Sequence, residues 1–384
     1  MTQRTMFTHL QRMNLRRIQV LVKHLRMSSS SSSEPDVLLE TINGKGVITL
    51  NRPKALNSLN LSMIRKIYPQ LKEWDADSST SLVIIKGAGE KAFCAGGDIK
   101  AVTDAGRVGD KYSADFFREE YILNHKIGTM KKPYIALVHG ISMGGGVGLS
   151  IHGKYRVATE KTLFAMPETG IGLFPDVGGG YALPRMQGQL GIFLALTGFR
   201  LRGRDVQLSG YATHFVESSQ VKDLEQTLLN MKDPSATDID EVINTFHEKC
   251  QLDKDKPFVL QPHQEQINRL FAGETMEDIC EALKKDGSEW AVKQLEIIRK
   301  MSPTSLKVSL RVMREGAKLS LPADLKMEYR VSQGCIRGKD FYEGVRALLV
   351  DKDGNPKWNP ATLEEVTSEI VDEHFQPLDN DLEL

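Results

Sequence analysis

Cysteine and histidine are scarce in this chain, and long apolar runs are missing. Four cysteines, Cys94, Cys250, Cys280 and Cys335, stand far apart in 384 residues. None has the paired spacing of a zinc or redox site, so free thiols in a reducing compartment are expected. Nine histidines are scattered with no HExxH-type cluster, and neither a metal nor a cofactor is expected. No stretch reaches 18 uninterrupted apolar residues, which argues for a soluble chain with no membrane span. Net charge is also lacking, with 50 basic and 50 acidic residues, but acid is absent before Glu34. The first 33 residues carry Arg4, Arg12, Arg16, Arg17, Lys23 and Arg26. Without them, 44 basic residues face 50 acidic ones, an acidic body that argues against nucleic-acid binding through a basic face.

Residues 1–33 are rich in Arg and Ser and place Leu, Ile and Val at roughly helical spacing. That is the composition of a mitochondrial transit peptide, with a disordered basic tail as the other reading. The mature chain is expected to begin near residues 26 to 34, in the mitochondrial matrix. The remaining length and a hydrophobic content of 40% predict one large domain with an appended piece.

Along the chain, VLLETINGKGVITL (37–50) holds two apolar runs around Asn43-Gly44, a two-residue hairpin signal. Leu59, Met63, Ile64, Ile67, Leu71 and Trp74 recur at helical spacing, and SLVIIKG follows as a buried strand. PYIALVHG (133–140) is another strand, KYRVATEKTLFAMPE supplies short ones, and YALPRMQGQLGIFLALTG (181–198) reads as helical. This alternation predicts α/β layers with ligand contacts in the loops and helix starts. From about residue 219 the texture becomes charged, amphipathic and helical, and Ser288 is an expected N-cap. The expected division is an α/β core over 34–215, a helical region over 216–360 and an acidic tail over 361–384, with fraying expected after Glu364.

Three glycine-rich points stand near strand ends. In AFCAGGDIK (92–100), Gly96 and Gly97 remove side chains so that N–H groups can face a ligand. GISMGGGVGLS (140–150) is expected to begin a helix, where N–H donors lack intrahelical partners. Either loop alone also reads as a tight turn, whereas two such donors on neighbouring loops make an oxyanion hole. A nucleotide-phosphate loop fits poorly, because neither GxGxxG nor GxxxxGK[ST] stands in its strand-to-helix context. MPETGIGLFPDVGGG (166–180) sets Glu168 and Asp176 among apolar residues, glycines and prolines. Acids so placed are paired or used, or else form a cap or surface loop pair.

In this order, LNRPKALNSL (50–59), AFCAGGDIKA, GISMGGGVGLS, FAMPETGIGLFPDVGGG and DFYEGVRALLVDKDGNPKW (340–358) resemble the enoyl-CoA hydratase/isomerase (crotonase) superfamily. The resemblance implies an α/β spiral of ββα turns with an added helical C-terminal region, a coenzyme A thioester substrate and no metal. FPDVGGG, FFREEYILNH (116–125) and the long helical part are similar to the hydrolytic branch, mitochondrial enzymes that cleave short 3-hydroxyacyl-CoA thioesters in valine breakdown.

Carried over residue by residue, the resemblance puts Gly97 and Gly145 at the oxyanion N–H donors and Glu168 on a catalytic glutamate. Hydratases carry a second glutamate in the helix after the three glycines, where this chain has Gly148. Adding water across a double bond needs an acid and a base together, so hydration is not expected. Asp176 stands where many hydratases have glycine, which implies a catalytic pair of Glu168 and Asp176. The hydrolytic motif selects Glu120 for the substrate site, although Glu119 and Glu120 both read as a solvated helix face. Arg52, Lys54 and Lys100 lie in segments that usually approach coenzyme A, ordinary surface charge being the other reading. The region from 288 to 358 is expected to reach the same site. Superfamily members often form trimers, and an added helical region able to cover the usual contact leaves a homo-oligomer open. Two rivals stand beside this reading: a hydratase or isomerase of the same fold, and a non-catalytic crotonase-like module that binds RNA or protein.

Overall fold

Asn43 and Gly44 both take positive φ, 49° and 72°, as a two-residue turn of the expected type requires. They join β1 (Val37–Ile42) to β2 (Lys45–Leu50), with Ile42 opposite Lys45. The computed structural model describes residues 34–384, so the segment read as a transit peptide lies outside the described residues. Helix α1 (Leu61–Ala76) begins two residues later than the apolar spacing suggests. Asn60 caps it by accepting from Met63 N, and Leu59 instead bonds to the loop around Gly97.

Three ββα turns follow. β3 (Leu82–Gly87) and β4 (Ala92–Cys94) lead to α2 (Ile99–Arg107) and α3 (Tyr112–Gly128). β5 (Tyr134–Val138) and β6 (Ile141–Met143) lead to α4 (Gly145–Gly148), a single turn. β7 (Tyr155–Ala158) and β8 (Leu163–Ala165) lead to a 3₁₀ turn, Glu168–Ile171, and then α5 (Gly179–Ala182). The first strand of each pair joins a six-stranded sheet of order β1-β2-β3-β5-β7-β10, and the second joins a four-stranded sheet of order β4-β6-β8-β9. β9 is Leu201–Arg202 and β10 is His214–Phe215. Because β4, β6 and β8 run parallel, the loops after them emerge side by side at one edge, where ligands of parallel sheets bind. This is the expected spiral.

The continuous apolar run of β3 has a packing reason. Val83 and Ile85 face one core, while Leu82 and Ile84 face a second core on the other side of the large sheet. That second core is closed by helices α8 (Val221–Asn230) and α9 (Ala236–Lys249) through Leu224, Leu228, Ile239 and Ile243; α6 (Leu190–Thr197) and α7 (Arg204–Leu208) precede them. The helical texture after residue 216 therefore covers the sheet, and residues Asp36–Leu384 form one compact unit.

Helices α10 (Gln264–Leu270), α11 (Met276–Asp286), α12 (Glu289–Ile298), α13 (Pro303–Gly316), α14 (Leu321–Arg337), α15 (Asp340–Val345) and α16 (Ser368–Phe375) complete the chain. Ser288 caps α12 as expected, accepting from Ala291 N. Two expectations are corrected. The stretch 181–198 is not one helix: a 3₁₀ turn at Leu183–Arg185 and a break through Gly188 separate α5 from α6, because Pro184 offers no N–H to a continuing helix. The tail does not fray. Arg118 bonds the carbonyls of Asn380 and Asp381, Arg330 bonds the Asp381 carboxylate, and Leu382 is buried.

Candidate active site

A cavity of about 200 Å³ opens where the loops after β4, β6 and β8 meet, lined by Gly97, Gly145, Glu120, Glu168 and Asp176 among others. The first of these loops brings Gly97 and the second brings Gly145 at the start of α4. A methyl group on Gly145 would stand 3.3 Å from Gly97 N and 2.6 Å from Glu120 Oε1, so only glycine admits all three. Among the described residues, neither amide is engaged in a protein hydrogen bond. Two neighbouring free N–H groups are what an oxyanion needs.

The three acids arrive from different elements: Glu120 from the middle of α3, Glu168 from the 3₁₀ turn after β8, Asp176 from the loop before α5. All are buried, at 2%, 5% and 4% exposure, and among the described residues no Lys, Arg or His lines the cavity. Glu120 Oε1 and Glu168 Oε2 have no hydrogen-bond partner among the described residues. Acid oxygens left this way in the wall of a largely apolar cavity stand ready for a ligand. Burial, then the charges of Asp176 and Glu168, push the Glu120 acid well above the carboxylate range. Burial and then Asp176 do the same to Glu168. Burial pushes Asp176 up to about 7, and the hydrogen bond from Tyr121 Oη, 2.8 Å, works against it. Three acids without a cation cannot all be charged, so protons are shared among them near neutral pH.

The structure thus brings together Gly97, Gly145, Glu120, Glu168 and Asp176. Glu119, adjacent to Glu120, points outward and pairs with Arg65 at 2.6 Å. Arg52, Lys54 and Lys100 do not line the cavity. Arg52 pairs with Asp98 at 3.0 Å and bonds Ser58 O at 2.6 Å, Lys100 pairs with Asp104 at 3.0 Å, and Lys54 is exposed. A groove of about 560 Å³ lies elsewhere, between α11, α12 and residues 361–364. Its charged side chains, Glu277, Glu281, Lys284, Arg299 and Glu364, are exposed rather than convergent.

Several participants carry no sequence signal of their role. Tyr121 follows Glu120 and reads as one more aromatic of α3. Leu349 comes from residues 346–350, a π turn extending α15, and lines the cavity while 47% exposed. The C-terminal region therefore reaches the site, as expected. Gly148 has no spare room: a methyl group there would come within 2.7 Å of both Asn124 Nδ2 and Val177 Cβ. A glutamate cannot be placed at that point without displacing α3 or the Asp176 loop.

Parallel ββα turns ending in paired amides and buried acids define a crotonase-type protein. A model of the enoyl-CoA hydratase/isomerase family matches residues 45–375, and the chain belongs to that family. It is 61% identical over 380 residues to "3-hydroxyisobutyryl-CoA hydrolase, mitochondrial" of Danio rerio, covering 98% of this chain and 99% of that protein. The Homo sapiens protein of the same name is 57% identical over 379 residues, 98% of each chain. Among solved structures, a carnitinyl-CoA dehydratase from Mycobacterium thermoresistibile matches with TM-score 0.84 and 38% identity over 91% of this chain and 99% of that one. An enoyl-CoA hydratase from Rhodobacter sphaeroides 2.4.1 matches with TM-score 0.80 and 35% identity over 91% of this chain and 100% of that one. The family match runs into α16, so the helical region belongs to the shared architecture.

Proposed function

We propose that this chain hydrolyses the thioester of 3-hydroxyisobutyryl-CoA, and that of 3-hydroxypropionyl-CoA, to the free hydroxy acid and coenzyme A, in valine breakdown in the mitochondrial matrix. The observation that carries the chemistry is the facing of two free amides, Gly97 and Gly145, with three buried acids in one cavity. The thioester carbonyl oxygen sits at the two N–H groups, which take up the negative charge of the tetrahedral intermediate. One such donor is worth about 3 kcal/mol in the transition state. Glu168, in the carboxylate form it takes when the shared proton lies on a neighbouring acid, then attacks the carbonyl carbon to give an anhydride that water opens, or takes a proton from a water that attacks directly. In both routes the C–S bond breaks and coenzyme A leaves as its thiolate, which needs little acid assistance.

Asp176 positions the substrate hydroxyl or the water and exchanges a proton with Glu168, while Glu120, held protonated by its surroundings, donates to a substrate oxygen. Of the cations expected near coenzyme A, the exposed Lys54 and Lys100 suit its phosphates, whereas Arg52 is committed to Asp98. Delivery to the matrix rests on the Arg-rich, acid-free first 33 residues and on the word "mitochondrial" in the relatives' names.

Hydration of an enoyl-CoA is disfavoured by the crowding at Gly148. A thiol-release assay across isobutyryl-, 3-hydroxyisobutyryl-, 3-hydroxypropionyl- and crotonyl-CoA tests the proposal. Release is expected from the two 3-hydroxy esters alone. Hydration of crotonyl-CoA without thiol release, or a preference for unhydroxylated chains, refutes it.

A further inference from the structure

Behind the Asp176 loop lies a second pair of acids that the chemistry above does not use. Asp324 and Glu328, one turn apart on α14, are both fully buried. Glu328 accepts from Gly178 N at 2.7 Å and Gly180 N at 2.9 Å, and Asp324 accepts from Tyr181 N at 3.0 Å. The loop they hold is strained: Val177, directly after Asp176, has φ 56°, a left-handed conformation that a β-branched residue rarely adopts. Its carbonyl accepts from His152 Nε2 at 2.7 Å. A loop forced into such a conformation keeps it only when its surroundings over-determine it.

We propose that Glu328 and Asp324 are the positioning residues of Asp176, fixing the Gly178–Tyr181 backbone so that the Asp176 carboxyl stays aimed into the cavity. This rests on the assignment of Asp176 to the hydrolytic site. Both acids are unusually placed for a purely structural role. Among the described residues no arginine or lysine bonds either of them; Arg185, the nearby cation, is spent on the carbonyls of Tyr181, Gly316 and Leu319. Burial, then Asp324 and Asp176, push Glu328 well above the carboxylate range, and burial pushes Asp324 up to about 7 while its partner's hydrogen bond opposes this. Both Glu328 oxygens and Asp324 Oδ2 are occupied by the three backbone N–H groups of the loop.

The test is a mutant cycle between Glu328→Gln and Asp176→Asn, read in steady-state thiol release. Gln keeps the shape of Glu328 but turns its amide NH2, a donor, toward one of the two N–H groups, so the loop shifts. In the wild-type background kcat is expected to fall about tenfold or more, the scale of a displacement of the order of an ångström, with KM changed less than about twofold. In the Asp176→Asn background the same change is expected to have no further effect. An unchanged kcat in Glu328→Gln overturns the proposal, as does an equal loss in both backgrounds, which marks a general effect on the fold. Should Glu328→Gln not yield folded protein, Asp324→Asn, which retains an acceptor for Tyr181 N, is read by the same criteria. An Asp176→Asn variant with normal turnover is a different outcome, because it removes the hydrolytic assignment itself.

Discussion

The ββα spiral up to Phe215 and the helical region beyond it meet at one cavity and contribute different things to it. The spiral carries the two amides and the three acids: Gly97, Gly145, Glu168 and Asp176 at loops or short turns after its strands, and Glu120 in the middle of the long helix α3. The helices contribute Leu349 at the cavity and hydrogen bonds behind both acid-bearing loops. Glu328 and Asp324 hold the segment after Asp176. Ser302 N donates to Thr169 O beside Glu168, and Ser302 Oγ donates to Asp340 at 2.6 Å. The difference teaches that a short parallel sheet collects reactive groups, whereas holding buried acids in place takes polar braces from a second layer.

The sharpest way to break this comparison is at Glu168. Glu168→Gln is expected to lower turnover at least about 100-fold while thioester binding by calorimetry survives. Asp176→Asn is expected to be similarly severe, and the double variant little worse than the worse single one. Strictly additive losses show that the two acids act independently.

Gly148→Ala probes whether the spiral has room for another reacting group. Overpacking against Asn124 and Val177 is expected to destabilise the protein by about 1 to 3 kcal/mol, read from the denaturation midpoint. Unchanged stability means that the hydratase position is open after all.

On the helical side, Leu349→Ala removes apolar contact with the ligand but no chemistry. KM is expected to rise about fivefold with kcat retained, in keeping with about 1 kcal/mol for a partly buried leucine. A loss confined to kcat places Leu349 in the chemical step.

The smallest effect is electrostatic. The folded-state value of Asp176, about 7, lies above its ordinary 3.8, so the fold favours the neutral acid. That stabilisation is complete below the unfolded value and is lost as pH rises through about 7. The melting-temperature advantage of Asp176→Asn over the wild type is expected to be larger at about pH 8.5 than at about pH 5. An advantage that does not grow with pH contradicts the raised value.

Local patterns were legible in the chain itself. Asn43-Gly44 determines the hairpin because positive φ at both positions is cheap only for such residues, and the run LVII announces a strand buried on both faces. The motifs bearing Gly97, Gly145, Glu120, Glu168 and Asp176 pointed to one site through their joint resemblance to the crotonase superfamily, whereas by itself Glu120 reads as a solvated helix face. Tertiary structure alone decided what those residues face. Tyr121 meets Asp176 across 55 positions and Glu328 meets Gly178 across 150. On an amphipathic helix, Glu328 is indistinguishable in sequence from a solvated glutamate. The tail docks through Arg118, some 260 positions away, and Arg52 pairs with Asp98 across 46 positions. Spacing along the chain determines which face of an element is apolar, whereas the partner of a buried polar group depends on which distant element the packing brings beside it.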